Sequence, residues 1–190
     1  MRVRRAALML FILLLALPAG TAAQTGKFDL VRLMQLLSLA PEAEAAYTET
    51  RYSSLLAEPI VSSGTLSFRR PDAVEKNMTA PRNERFRIVG AELIVARSGS
   101  ERRIPLSSQP LLSAFAASLR GVLAGDAALL RSHYRLALEG DEQAWRLEMI
   151  PLDEEIGRYV ERINVSGRAG VVERIEVREA NGDRSVMQVR

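Results

Sequence analysis

Apolar and polar residues alternate in short runs along most of the chain, which is the pattern of β-strands with one apolar face. The run 64–70 is the clearest, because Leu66 and Phe68 fall on one face and Ser67 and Arg69 on the other. Further apolar pairs at the same spacing are Phe86/Ile88, Leu93/Val95, Leu136/Leu138, Leu147/Met149, Ile163/Val165 and Ile175/Val177. With Gly and Pro residues between the runs, the pattern predicts about ten or eleven short strands.

Two longer stretches repeat their apolar residues at helical spacing instead. In 28–39 the apolar positions i, i+3, i+4 and i+7 are Leu30, Leu33, Met34 and Leu37. In the stretch that Ser107, Ser108 and Pro110 open, one apolar stripe carries Leu111, Phe115, Leu119 and Val122. Gly125 ends this second predicted helix, Asp126 is expected to cap a short third helix, and residues 153–159 are expected to form one or two helical turns.

The order of these elements predicts the architecture. A helix, a series of strands, a second helix and a second series of strands favour an antiparallel α+β fold over repeated βαβ units. A large sheet with one apolar face must close on itself or be covered. Two or three short helices can cover such a face without filling it, which predicts a half-open barrel with a helical lid and an apolar cavity. A fully packed core of sheet and helices is the alternative, and periodicity does not separate the two.

The N-terminal segment has the layout of a secretory signal peptide. Three arginines stand among the first five residues, an apolar run follows at 6–17, and small residues lead to Ala23. The apolar run is shorter than the roughly 20 residues that a helix needs to span a bilayer. We therefore expect cleavage after Ala23 and a single domain at 24–190 in the periplasm. An uncleaved N-terminal anchor is the alternative.

Charge and composition narrow the classes of function. The chain has 190 residues with 26 basic and 23 acidic side chains, and its net charge is +3. That excess equals the three arginines of the predicted signal peptide, so the remaining domain is neutral, which argues against a nucleic-acid partner. The absence of cysteine excludes disulfides, thiolate metal sites and a lipid-modified N-terminal cysteine.

Enzymatic chemistry has little support in the sequence. His133 is the one histidine, and no nucleophile elbow, P-loop, zinc-site spacing or dinucleotide fingerprint occurs. We predict a non-enzymatic protein without a metal site or a cofactor. Two other classes stay open: a periplasmic hydrolase would need polar side chains that converge in a pocket, and a structural or interaction domain of the cell envelope would have a filled core.

Two of the strands carry motifs that resemble a known family. The segment Gly64-Thr65-Leu66-Ser67-Phe68-Arg69-Arg70-Pro71 resembles the G-x-L-x-x-[KR]-R-P strand of LolA-type outer-membrane lipoprotein carriers. Upstream, the segment Ala45-Ala46-Tyr47-Thr48-Glu49 resembles the A-x-[FY]-T-Q strand of the same family, with Glu49 in place of Gln. Residues 72–75 lack the aromatic residue that usually follows the first motif, which indicates a divergent, LolA-related branch.

The resemblance implies a fold, a function and a set of partners. The fold would be an incomplete antiparallel barrel with a helical lid, and its cavity would hold the acyl chains of a lipoprotein or another lipid. The carrier, expected to be a monomer, would receive this cargo from an inner-membrane exporter and deliver it to an outer-membrane acceptor. The resemblance also gives Arg70 a gating role through hydrogen bonds to the lid; snorkelling of this side chain to solvent at the rim is the alternative.

The predicted binding residues follow from this picture. The cavity face is expected to comprise Leu66, Phe68, Phe86, Ile88, Leu93, Val95, Leu136, Leu138, Leu147 and Met149, and the lid residues besides Arg70 are expected to be Met34, Leu37, Phe115 and Leu119. Each of these apolar residues could instead belong to a packed core. Burial of one methylene is worth about 0.8 kcal/mol, so an acyl chain of about 14 carbons would gain on the order of 11 kcal/mol. Release of such a ligand at a useful rate requires a lid that moves.

Overall fold

The structure is a computed structural model that describes residues 27–40, 42, 44–69, 73–108 and 110–190. The predicted signal peptide lies outside the described residues. The helices are α1 Leu30–Leu39, α2 Pro110–Ala124, α3 Ala127–His133 and α4 Glu154–Gly157. The strands are β1 Glu44–Tyr52, β2 Ile60–Arg69, β3 Ala73–Ala80, β4 Glu84–Val89, β5 Glu92–Arg97, β6 Ser100–Pro105, β7 Tyr134–Asp141, β8 Ala144–Pro151, β9 Val160–Arg168, β10 Val171–Glu179 and β11 Arg184–Val189.

The strands form one antiparallel sheet in the order β6-β5-β4-β3-β2-β1-β11-β10-β9-β8-β7. Neighbours in the sequence are neighbours in the sheet, and one non-local pairing, between β1 and β11, joins the two series of strands; Tyr47 lies opposite Val189 in this pair. The edge strands β6 and β7 do not pair with each other in the described part of the chain. The structure therefore confirms the predicted α+β fold with an incomplete antiparallel barrel of eleven strands.

The register places the predicted apolar pairs on one face of this sheet. Phe68 lies opposite Val74, which lies opposite Ile88. On the same face, among the C-terminal strands, Val165 lies opposite both Ile175 and Leu147. We call this surface the inner face, because the helices pack against it. Charged residues such as Glu148 alternate with the inner residues and occupy the outer face.

Two details differ from the prediction. Strand β3 was not predicted as a separate element, because it reads Ala-Val-Glu-Lys-Asn-Met-Thr-Ala and its inner-face position opposite Leu66 is the polar Lys76. After β6 the chain forms a short 3₁₀ turn, Leu106–Ser108, which the periodic patterns did not predict. The turn buries Leu106 against the inner face.

Local signals fix the helix ends. Asp29 caps α1 by accepting a hydrogen bond from the Arg32 backbone N–H at 2.9 Å, and Asp126 caps α3 in the same way through Leu129 at 2.9 Å, as predicted. Gly125 ends α2 with a φ of +68°, and a Cβ at this position would lie 2.2 Å from the Met34 carbonyl oxygen. This glycine thus allows the backbones of α1 and α2 to meet.

The core consists of two hydrophobic clusters. The larger one lies between α1, α3 and strands β7–β10. Its buried members are Leu33, Met34, Leu37, Val122, Leu130, Tyr134, Trp145, Leu147, Met149, Ile163 and Val165. We call strands β7–β10, together with the helices that cover them, the packed half. The smaller one lies between strands β2–β4, the residue Leu106 and α2, and its buried members are Phe68, Val74, Ile88, Leu106 and Ala116. We call strands β1–β6 and β11 the open half. Helix α2 contributes to both clusters.

Candidate functional site

The inner face holds two adjoining cavities. The first has a volume of about 370 Å³ and lies beside the C-terminal end of α1. Its lining is Leu37, Ala40, Ala45, Leu66, Phe68, Leu123, Gly170, Val171, Val172, Glu173, Ile175, Val189 and Arg190. Val171 is largely exposed, so the cavity reaches the protein surface at the turn between β9 and β10.

The second cavity has a volume of about 330 Å³ and lies between the open half and β10. Its lining is Glu49, Leu66, Val74, Lys76, Phe86, Ile88, Leu93, Leu106, Ile175, Val177, Ser185 and Met187. Leu66 and Ile175 line both cavities and therefore form the boundary between them. Both volumes fall within the range of roughly 300 to 1,000 Å³ that is typical of small-molecule sites.

The packed half contains much less free space. On the inner face of this half, the void between Ser118, Met149 and Ile163 measures about 20 Å³. Such a volume admits about one water molecule. Space for a ligand on the inner face is therefore concentrated around the open half and its border with β10.

Five of the ten predicted cavity residues line these cavities. Leu66 borders both, Phe68 the first, and Phe86, Ile88 and Leu93 the second. Val95 shares a face with Leu93 but lines neither cavity and lies opposite Arg102. Direct participation of these residues in ligand binding stays a prediction.

The other four predicted cavity residues lie in the packed half. Leu147 is 0% exposed and Met149 1% exposed, and Leu136 and Leu138 pack beside them. Helices α1 and α3 lie over these strands, so neighbouring side chains account for the burial. A ligand would have to displace this packing to reach them.

Two of the predicted lid residues lie on α1, and this helix packs closely against the rest of the protein. Met34 and Leu37 are buried in the larger cluster, and Leu37 also lines the first cavity. A Cβ on Gly170 would lie 2.5 Å from the Leu36 carbonyl oxygen, so the turn between β9 and β10 touches the backbone of α1. Arg70 and the side chains of Phe115 and Leu119 lie outside the described part of the structure.

Helix α2 connects the two halves of the inner face. The Arg120 guanidinium donates a hydrogen bond to the Gly90 carbonyl oxygen in the turn between β4 and β5. On the other side, the side chain of Ser118 hydrogen-bonds to Tyr134, whose pKa is raised by burial. Helix α2 is thus hydrogen-bonded to the β4–β5 turn of the open half and to the first residue of β7 in the packed half.

A polar group inside the second cavity was not among the predicted site residues. The Lys76 ammonium on β3 donates to the Glu49 carboxylate on β1 and lies 5.0 Å from the centre of the Tyr47 ring. Burial, and to a lesser extent the charge of Glu49, raise the pKa of Tyr47 to about 12. The replacement of the family's Gln by Glu49 was the one sequence signal that could have drawn attention to this position.

Two further observations bear on the type of site. Within the described residues, no group of three or more His, Asp or Glu side chains is placed to hold a metal ion. Over the same residues, no helix combines the length and apolar character required to traverse a bilayer.

The fold and the site define a protein with a partly covered antiparallel sheet and apolar cavities beneath its helices. The sequence matches the family described as "Outer membrane lipoprotein carrier protein LolA-like" over residues 22–188. Because the match covers most of the chain, this protein belongs to the LolA-like family. Among curated proteins no sequence matches the chain.

Solved structures with a similar chain trace include two bacterial proteins of low sequence identity. A LolA superfamily protein from Nitrosomonas europaea is 14% identical, with a TM-score of 0.48 over 85% of this chain and 89% of that chain. The lipoprotein LppX of Mycobacterium tuberculosis is 9% identical, with a TM-score of 0.44 over 85% of this chain and 93% of that chain.

Proposed function

We propose that this protein is a periplasmic, non-enzymatic carrier that binds the acyl chains of a lipoprotein or lipid in its two cavities and moves them toward the outer membrane. The observation that carries the proposal is the pair of apolar cavities on the inner face, between the open half and β10. Membership of the LolA-like family supports the same function. The inner-membrane exporter and the outer-membrane acceptor belong to this proposal.

The contacts of α2 suggest how the ligand could be released. Apolar burial alone would hold an acyl chain too tightly for rapid exchange, so part of the binding energy has to be offset by movement of a cover. The hydrogen bond from Arg120 to the Gly90 carbonyl fixes α2 over the open half and is one polar contact that such a movement would break. The lid roles of Met34, Leu37, Phe115 and Leu119, and the gating role of Arg70, are part of the same proposal.

Leu66 offers the most direct test, because it lines both cavities. We expect Leu66→Trp to fill the boundary between them and to weaken the binding of a fluorescent fatty-acid probe at least about tenfold. Ser67→Trp is the matched control, since Ser67 lies on the outer face of the same strand. Equal affinity of both variants and the wild type would contradict the proposal.

Native mass spectrometry of protein purified from the periplasm provides an independent test. A co-purified acyl species is the expected result. Protein that carries no co-purified ligand and does not bind fatty-acid probes would instead favour a structural or interaction domain.

That second candidate has one observation in its favour. The loop between β1 and β2 exposes apolar side chains, with Leu55 at 91% and Leu56 at 40% exposure. The Asp183 carboxylate accepts a hydrogen bond from the Ser54 backbone N–H at 3.1 Å, so this loop is attached to the turn between β10 and β11. Exposed apolar residues at such a position are typical of contact surfaces.

A further inference from the structure

An ion pair occupies the wall of a cavity that is otherwise mostly apolar. We propose that the Glu49–Lys76 pair binds the polar head of the ligand in the second cavity, and that it selects uncharged acyl esters or amides over free fatty acids. This inference rests on the proposed function, because it names the ligand class for the same cavity.

The register places both charged residues on the inner face. Glu49 follows Tyr47 by two positions on β1, and Lys76 lies opposite Leu66 on β3. Their side chains are 20% and 26% exposed, and both line the second cavity beside Phe86 and Met187. The pair is therefore partly removed from water but accessible from the cavity.

The cost of this arrangement indicates a role beyond stability. Two charges placed in apolar surroundings lose hydration, and replacement of a buried ion pair by apolar residues of similar volume is often neutral or stabilising. Ion pairs on the outer face, such as Arg162 with Glu148, do not border either cavity. The inner pair thus adds polar character where apolar side chains alone would suit an acyl chain.

The hydrogen-bonding capacity of the pair fits an uncharged head. A lysine ammonium has three donors and a carboxylate has about four acceptor positions, so the contact between Lys76 and Glu49 leaves both donors and acceptors. The carbonyl of an ester or amide can accept from Lys76, and a hydroxyl or amide N–H can donate to Glu49. A neutral head adds no charge to a pair whose net charge is already zero.

A free fatty acid fits less well for an electrostatic reason. Its carboxylate would be attracted to Lys76 but repelled by the adjacent Glu49, and it would leave one unbalanced negative charge in the cavity. Burial of an unpaired charge is costly. If Glu49 lost its charge, Lys76 would instead be free to pair with the fatty-acid carboxylate.

The test compares two ligands with the same acyl chain, myristic acid and monomyristoylglycerol, by calorimetric titration at about pH 8, where a carboxyl group with an ordinary pKa is ionised. We expect the wild type to bind the glycerol ester at least about tenfold more tightly than the acid. Glu49→Gln should invert this preference. The double variant Glu49→Gln/Lys76→Met should bind both ligands about equally, and its thermal unfolding checks that the fold is intact.

The outcomes separate the two proposals. A wild type that binds both ligands equally or prefers the acid would overturn the selection of neutral heads and leave the carrier function in place. Persistence of the ester preference in the double variant would also overturn it, since the pair would then be only a link between strands. If the wild type and all variants bind neither ligand, the carrier proposal itself fails, and this inference fails with it.

Discussion

The packed half and the open half of the sheet share one strand pattern but have different interiors. Leu147, in the packed half, is 0% exposed beneath two helices, whereas Leu66, in the open half, borders two cavities. Both belong to apolar pairs that alternate with polar residues. The comparison shows that an apolar strand face becomes a core or a cavity according to which helices cover it.

The difference follows from how the helices are distributed. Helices α1 and α3 supply Leu33, Met34, Leu37 and Leu130 to the larger cluster. The smaller cluster receives the buried Leu106 and Ala116, with Leu123 and Ala124 packed partly against it. Among the side chains that the structure describes, less apolar volume therefore covers the open half, and both cavities border it.

Equal truncations in the two halves should give the largest contrast. We expect Leu147→Ala to lower the free energy of unfolding by about 3 kcal/mol and Leu66→Ala by about 1 kcal/mol, because Leu66 already adjoins empty space. Urea denaturation of both variants measures the difference. Equal decreases in the free energy of unfolding would mean that the open half is packed as densely as the packed half, which would contradict the proposed difference between them.

A smaller effect is expected from the contact that attaches α2 to the open half. Arg120→Gln should accelerate the release of a bound fatty-acid probe several-fold while changing the free energy of unfolding by less than about 1 kcal/mol, because its hydrogen bond to the Gly90 carbonyl lies at an exposed site. Stopped-flow displacement of the probe measures the rate. Arg131→Gln on α3 is the control; if both variants release the probe at the wild-type rate, α2 does not act as a cover.

The smallest effect is expected at the border between the halves, where Asp183 follows β10. Its hydrogen bond with the Ser53 side chain, aided by the Ser54 N–H, holds the pKa of the Asp183 carboxyl below its ordinary value. A lowered pKa stabilises the folded state above the ordinary carboxyl pKa, and this contribution is lost as the pH falls through the lowered value.

Asp183→Asn tests this linkage. The variant should be less stable than the wild type near pH 7, and the difference should shrink at about pH 3. Urea denaturation at both pH values measures it. Parallel stability profiles for the variant and the wild type would show that the charge of Asp183 does not hold the β1–β2 loop.

Much of the fold could be predicted from the chain because helices and strands leave local periodic signals. The predicted helix 28–39 begins two residues later in the structure, at Leu30, after the Asp29 cap. Strand β3 was not predicted because Lys76 interrupts the alternation of apolar residues on its inner face. The Glu49–Lys76 ion pair was not predicted for the same reason. Alternation assigns polar residues to the outer face, and only the pairing of β3 with β2 places Lys76 on the inner face.

The candidate site was predictable only in part. Leu66, Phe68, Phe86, Ile88 and Leu93 line the cavities, whereas Leu136, Leu138, Leu147 and Met149 have the same spacing and lie under helices. Their local sequences do not differ in any feature that distinguishes a cavity from a core. The distinction depends on contacts with residues distant in the chain.

The sequence by itself determined the helices, most of the strands and the single apolar face that these strands share, because each depends on neighbouring residues. The tertiary structure decided which part of that face is covered, where the cavities lie and that Glu49 meets Lys76 within one of them. The physical reason is that packing density and charge pairing depend on the pairing of β1 with β11 and on the placement of α1, α2 and α3. No local pattern records those long-range contacts.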